Sequence, residues 1–313
     1  MRQFILLLNL LIVATIFIGC PRFDLCGEGD YQAQWVKSTV PMNHPVRYDA
    51  DNEILLFESG TLVVYPFGPY SKSQIDLEDL CGTTDIRDIG YYNQNLLFDD
   101  FSTGHIDSLE FEQEDYFIIV LARDRCCKLN SNYDFLFNFG NSGLGPQTIV
   151  DGIAVEINNL AEIFVIDRGD NSIKKYDLNG QYLARWSNIG EPLHLKIYDG
   201  FVYILDQLSS TIKKYDYNGN YVATVLDDSF YLDISYFDIP LTNSFRIIDD
   251  NGSRISDYYS NGRISEIKTE YCLDNNYFQF GRLVSTDNGF YAFYIVDCEN
   301  NDIIKFKFTK YRW

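Results

Sequence analysis

Basic residues and histidine are scarce in this chain of 313 residues. Lys and Arg number 25 against 45 Asp and Glu, so the net charge is −20. A surface of that sign repels phosphate backbones and excludes nucleic acid as a natural partner. It suits neutral glycans, cations and basic peptides, and its plainest role is solubility. The three histidines, His44, His105 and His194, share no helical or hairpin spacing. A multi-histidine metal site would have to be assembled across distant parts of a fold. The seven cysteines lack the paired C-x₂₋₄-C spacing of a zinc site. There is no Gly-x-Ser-x-Gly elbow and no Cys–His pairing. "GNSGLGP" (140–146) lacks the Lys-Ser/Thr ending of a phosphate loop. "DRGDNS" (167–172) and "DCENND" (297–302) lack the alternating acidic spacing and closing Glu of a calcium loop, and read as solvated turns. No segment of helical length shows an apolar 3.6 period, which excludes a helical solenoid.

What is present is a repeat. "IFVIDRGDNSIKKYDLNGQYL" (163–183) returns as "VYILDQLSSTIKKYDYNGNYV" (202–222) and, more worn, as "FRIIDDNGSRISDYYSNGRIS" (245–265). In each copy an Asp closes an apolar run (Asp167, Asp206, Asp249), an aromatic follows (Tyr176, Tyr215, Tyr258), and then Asn-Gly. Asp297 and Phe306 keep the same spacing without the Asn-Gly. A period of about 40 residues with this content means one small sheet repeated around an axis. The runs "EIFVI" and "FVYIL" suit strands buried on both faces. "SIKKYDL" and "TIKKYDY" suit half-exposed strands, and Asn-Gly suits a type I′ hairpin. "QYLARW" and "NYVATV" return, while "IVDGIAVE" and "LHLKIYD" supply inner strands. Four antiparallel strands per repeat make a propeller blade.

The expected fold is therefore all-β, a six-bladed β-propeller of four-stranded antiparallel blades. Buried strands fall near residues 54–57, 117–121, 162–166, 201–205, 244–248 and 290–296. The longer interval between the first two holds "DIGYYNQNLLFDDFSTG" (88–104), read as an insertion or degenerate hairpin within about 84–104, with seven blades as the alternative count. Residues 31–39 are expected to pair with residues 303–308, closing the ring and removing its free edge. A propeller absorbs the remaining length, residues 21–313, as one domain.

"FLFNFGNSGLGP" (135–146) is similar to a G-x-x-G-x-G-P linker, and with the Asp-to-aromatic-to-Gly spacing it carries a family resemblance. The chain resembles the NHL-type six-bladed propellers, closest to the six-bladed β-propeller lipoproteins of the Bacteroidota. The likeness covers most of residues 105–268. It implies the fold and leaves the activity open, because that family has no settled one. The chain departs from the pattern at Asn132-Tyr133, where the turn lacks Gly, and across 67–104. NHL-type amidating lyases hold zinc through histidines, for which this chain has no matching set. Propeller lactonases hold a divalent cation through carboxylates and Asn, for which no motif singles out residues here.

Residues 1–20 form a lipoprotein signal: Arg2, an apolar run over 4–19, then Gly19-Cys20 as the end of a lipobox with Cys20 as the lipid attachment site. A simple signal peptide or an uncleaved anchor are the other readings. The expected location is the bacterial cell envelope, membrane-anchored and facing the periplasm or the cell surface. Export permits disulfides among Cys26, Cys81, Cys126, Cys127, Cys272 and Cys298, whose pairing spacing does not settle. Cys126 and Cys127 are expected on opposite faces of one strand, as buried apolar residues.

Asp167, Asp206, Asp249 and Asp297 are the candidate binding carboxylates, since equivalent positions would ring one face and could hold Ca²⁺ or a cationic ligand. The preferred reading is structural. An Asp recurring at a strand end accepts N–H bonds from the loop it opens. No catalytic residue, metal site or cofactor is assigned, with Ca²⁺ the one cofactor candidate. The expected function is a monomeric, non-catalytic binding or scaffold propeller for a protein, peptide or glycan. The alternative is a metal-assisted hydrolase or lyase with its site in the central channel, and a third reading is a structural subunit of an envelope complex.

Overall fold

The computed structural model describes residues 31–37, 46–48, 54–58, 61–65, 73–93, 116–141, 143, 145–227, 234–241, 244–249, 254–259, 264–267, 280–285, 292–297 and 302–308, the peripheral pieces as backbone strands only. The first strands are β1 (Tyr31–Lys37), β2 (Val46–Tyr48), β3 (Ile54–Glu58), β4 (Thr61–Tyr65) and β5 (Ser73–Asp76), followed by a short helix α1 (Leu77–Cys81). Next come β6 (Ile86–Asn93), β7 (Tyr116–Ala122), β8 (Arg125–Asn130) and β9 (Phe135–Phe139). The repeats follow as β10 (Gly152–Ile157), β11 (Ile163–Asp167), β12 (Ser172–Tyr176) and β13 (Tyr182–Trp186), then β14 (Pro192–Tyr198), β15 (Phe201–Asp206), β16 (Thr211–Tyr215) and β17 (Tyr221–Asp227). The last are β18 (Tyr236–Leu241), β19 (Ser244–Asp249), β20 (Arg254–Tyr259), β21 (Ile264–Ile267), β22 (Phe280–Ser285), β23 (Ala292–Asp297) and β24 (Asp302–Phe308).

These strands form six four-stranded antiparallel sheets, each a meander except the last, whose order is β1-β24-β23-β22. The innermost strands touch in sequence: β2 on β6, β6 on β10, β10 on β14, β14 on β18, β18 on β22, and β22 back on β2. The N-terminal strand supplies the outer strand of the last sheet, Tyr31 opposite Phe308 and Trp35 opposite Ile304. Ile86–Asn93, within the stretch of about 84–104 read from sequence as an insertion or degenerate hairpin, forms the inner strand of the β6–β9 sheet. A sheet needs that strand, so the stretch is not surplus, and the rest of the long interval (94–115) lies outside the described residues.

The core lies between sheets rather than on one side of each. Alternate residues of β11 serve opposite interfaces: Val165 joins Leu121 and Ile119 of the preceding sheet. Phe164 and Ile166 join Leu195 and Ile204 of the following one. This is why these runs are continuously apolar. Each such side chain contributes about 1.5–3 kcal/mol on burial.

The hairpins correct one expectation. A type I′ turn needs positive φ at both central residues. In Asp177–Gln181 and Asp216–Asn220 only the glycines are left-handed, Gly180 at φ 72° and Gly219 at φ 84°. Asp177 accepts at Oδ1 from the N–H of Asn179 and Gln181, and Asp216 from Asn218 and Asn220. The register slips beside each turn, after Lys175 and after Lys214. This is a type I turn with a glycine bulge. Asn130–Asp134 and Asn158–Glu162 repeat it with Asn first and, in the left-handed place, Tyr133 at φ 64° and Ala161 at φ 57°. Glycine returns where space is short. A Cβ on Gly219 would sit 2.7 Å from Trp186 of the preceding sheet, whereas a Cβ on Gly200 (φ 77°) would meet nothing.

Two outcomes follow. Gly200→Ala costs only the left-handed backbone strain, about 1–2 kcal/mol, whereas Gly219→Ala also overpacks and loses about 1–3 kcal/mol more. Equal melting temperatures for the two would remove the packing argument. Deleting residues 21–37 exposes β24 and lowers the midpoint by several degrees; an unchanged midpoint would show that β1 contributes nothing to closure.

Candidate functional site

The recurring aspartates sit where strand ends meet linkers. Asp167 closes β11 and is fully buried, as is Lys174 on β12. Its carboxylate accepts from the N–H of Val150 (2.9 Å), Asp151 (2.8 Å) and Gly169 (3.0 Å), and from the Lys174 ammonium, which also reaches the Thr148 carbonyl. One side chain thus ties the linker entering its own sheet to the loop leaving β11. Asp206 repeats this with Glu191 N–H (3.0 Å), Leu208 N–H (3.2 Å), the Ser209 hydroxyl (2.9 Å) and Lys213. Burial pushes the Asp167 carboxyl up, but Lys174 and the N–H groups of Asp151 and Val150 outweigh it and hold the group below its ordinary value. Asp206 is likewise held low against burial, by Lys213, Glu191 N–H and Ser209. Asp249 and Asp297 end β19 and β23 in the same register positions, opposite Arg254 and Asp302, but their side chains lie outside the described residues. So do Cys20, Cys26, Cys272, Cys298, His44 and His105.

A second set of polar groups lies on the inner strands. Four inner strands place one residue each between apolar neighbours at one level: Gly90 on β6, Glu156 on β10, Lys196 on β14 and Asp238 on β18. Lys196 Nζ lies 3.2 Å from Glu156 Oε1 and 3.7 Å from Asp238 Oδ1, joining three consecutive sheets. At the same level the β18–β21 sheet continues the row outward, Asp238 opposite Arg246 and Arg246 opposite Asp257. Arg246 and Asp257 form a buried bidentate pair, 2.6 Å and 2.9 Å. The charges alternate along the row, so each has a partner of opposite sign. One level away Asp88 accepts the Val155 N–H at 2.9 Å, and His194 stacks on Tyr236 at 4.0 Å with its edge against Phe237. Among the described residues no three His, Cys, Asp or Glu side chains group to hold a metal ion.

The turn ends of the sheets carry a different chemistry. Leu160 and Leu178 are exposed there, and Tyr133, Tyr198, Phe201 and Tyr217 are half-buried beside them. Lysines lock these turns to neighbouring sheets: Lys128 donates to the Leu178 carbonyl (2.8 Å) and Lys175 to the Tyr217 carbonyl (3.0 Å). Lys214, in the same place one sheet on, lies 3.6 Å above the Phe201 ring. Burial beside Glu162 and Asp199 pushes the Tyr217 phenol up to about 12, so it stays a neutral donor at physiological pH.

Solved structures share this architecture over nearly the whole chain. A streptogramin B lyase aligns at TM-score 0.60 and 11% identity, covering 89% of this chain and 98% of its own. A gluconolactonase from Xanthomonas campestris aligns at 0.65 and 8%, covering 90% and 91%. A protein of unknown function from Bacteroides thetaiotaomicron VPI-5482 aligns at 0.60 and 10%, covering 90% and 76%. The fold is a β-propeller. No family model matches the chain, and no curated protein does. At such identities the likeness carries the fold alone.

Sequence reasoning passed over the axial row. No motif joins Glu156, Lys196, Asp238, Arg246 and Asp257, because they come from three blades. A signal was there: "VEI", "LKI" and "FDI" each set one charge inside an apolar inner strand. Cys126 is free and buried as expected, with burial raising its thiol, but Cys127 is disulfide-bonded to Cys81. The expectation that both were apolar filler is corrected, because Cys127 faces the helix that carries its partner.

Asp167→Ala or Lys174→Ala strands a buried charge and destabilises by about 3–5 kcal/mol, while an apolar pair at both sites recovers much of it. The carboxylates contribute fully above their unfolded pKa, near the ordinary 3.8. That stability is lost as pH falls through the lower folded values. Wild-type melting temperature should hold from pH 7 to 5 and drop below about pH 4, with a shallower drop in the apolar pair variant. Equal acid slopes for the two would show that Asp167 is not a source of the acid sensitivity.

Proposed function

We propose that this chain is a cell-envelope lipoprotein of NHL type, six-bladed and akin to the β-propeller lipoproteins of the Bacteroidota. In this reading lipid on Cys20 anchors it, and the blades bind a protein, peptide or glycan without catalysis. The observation that carries the binding role is the turn face: Tyr198 and Phe201 stand there beside Leu160, Leu178, Tyr133 and Tyr217, whose turns are held by side-chain caps and by Lys128 and Lys175. The turns of Tyr133, Leu160, Leu178 and Tyr217 are the capped ones, and aromatic and aliphatic groups on rigid turns suit recognition, because little side-chain freedom is lost on binding. The axial charges are engaged with one another, so they read as a brace between blades rather than as reacting groups. The Cys81–Cys127 disulfide supports export, since such bonds persist in oxidising compartments.

The second reading is a hydrolase or lyase working at the axis. Support for it comes from the lyase and gluconolactonase that share the fold, and from Glu156 and Asp238 flanking Lys196.

The test uses residues 21–313 on peptide and glycan arrays. Leu160→Asp with Tyr217→Ala should weaken any ligand found at least about tenfold, as loss of a buried anchor does. Lys196→Met should leave that binding unchanged. Binding or turnover that depends on an added divalent cation and is lost in Lys196→Met, with the turn variant unaffected, favours the axial reading instead. For the anchor, Cys20→Ser should leave the membrane fraction; a variant that resists a carbonate wash is held by an uncleaved segment.

A further inference from the structure

The blade formed by β6–β9 departs at one place from the two blades that follow it. Register aligns Ala122, opposite Arg125, with Asp167, opposite Ser172, and with Asp206, opposite Thr211. By the same register Cys127 on β8 stands where Lys174 stands on β12 and Lys213 on β16. Both members of the Asp–Lys latch are therefore absent from this blade. The job they do is not. In all three blades the residue after that position donates its N–H to the residue just ahead of the inner strand: Arg123 to Asp85 (3.0 Å), Arg168 to Asp151 (2.9 Å) and Gln207 to Glu191 (2.8 Å). The linkers thus enter their blades alike.

In the β10–β13 blade the Lys side chain runs from the third strand into that linker, Lys174 bonding the Thr148 carbonyl. Cys127 runs the same way and ends in Cys81, on α1 in the linker that leads to β6, with the two Cα atoms 5.7 Å apart. Cys81, Leu77, Ile89 and Leu129 are buried around it in one cluster.

We propose that the Cys81–Cys127 disulfide is the covalent substitute for the Asp–Lys latch, and that it makes the docking of this one blade's linker depend on the redox state of its surroundings. Reduction breaks the S–S bond. A dithiol reductant is oxidised to its own disulfide, its two electrons and two protons convert Cys81 and Cys127 to thiols, and the linker keeps its backbone bond from the Arg123 N–H to the Asp85 carbonyl. Ala122 offers no carboxylate for the linker N–H groups, so α1 loses its side-chain tie to β8 while the Asp167 and Asp206 blades keep theirs. The inference goes beyond the binding role and holds whether or not that role is correct.

The experiment compares residues 21–313 as wild type, as Cys81→Ala/Cys127→Ala, and as a latch-restored variant, Cys81→Ala with Ala122→Asp and Cys127→Lys. Melting and amide hydrogen exchange are followed with and without dithiothreitol. The reductant should lower the wild-type midpoint by about 5 °C or more and speed exchange chiefly over residues 77–90, as expected when a loop-closing bond is lost. The double Ala variant should match the reduced wild type and ignore the reductant. The restored variant should regain at least about half of the lost midpoint and also ignore it. Two results would overturn the proposal: unchanged exchange over 77–90 on reduction of the wild type, or a restored variant no more stable than the double Ala variant. The reduced wild type keeps the proposal testable even if the charged variant fails to fold.

Discussion

Each repeat of this chain makes a sheet with two apolar faces, and a sheet with two apolar faces must be covered twice. Val165 and Phe164, adjacent in sequence, are both fully buried, one against the blade before and one against the blade after. A single sheet, or a stack with two ends, would leave such faces in water. Arranging the sheets around an axis gives every face a neighbour, and borrowing β1 from the N-terminus fills the last outer position. The other features serve this demand. Glycine stands in the turns because the turn must lie flat on the aromatic of the previous blade, and lysines bridge from one blade's third strand to the next blade's turn.

Packing alone leaves the linkers undefined, since a chain passing between two sheets carries N–H groups that no strand pairs. The protein meets this with a buried carboxylate and ammonium at Asp167–Lys174 and again, less buried, at Asp206–Lys213. A disulfide occupies the corresponding place in the β6–β9 blade. The ionic latches depend on pH and the covalent one does not, so blades of one fold answer to different solution conditions. On the inner strands the same need for satisfied charge produces the row Glu156–Lys196–Asp238, and outward from it the buried pair Arg246–Asp257, where each charge sits beside its opposite.

The propeller architecture was legible because its evidence is local and repeated. The apolar runs, the Asp that ends them and the Asn-Gly that follows recur in copies close enough to align by eye. Where the reading strayed, the cause was a change of partner. Residues 88–93 read as part of the long insertion because their blade has no Asp at the strand end to mark it, Ala122 standing there instead. Asn-Gly suggested a two-residue turn, yet Asp177 and Asp216 cap the chain one step earlier and draw it into a bulged type I turn. Cys127 looked like filler because Cys81 is remote in sequence and lies on a helix that no repeat predicts.

The sequence by itself determined that this chain builds antiparallel sheets in a ring, because strand length, two-sided burial and turn placement are set by residues near one another. Only the tertiary structure decided which charges meet, which cysteines bond and which side chains share the turn face. Those contacts join residues from different blades, and their distances depend on how the sheets pack around the axis. A carboxylate at a strand end reads the same in one dimension whether it holds a linker, a lysine or a ligand. In this fold Asp167 and Asp206 hold the first two.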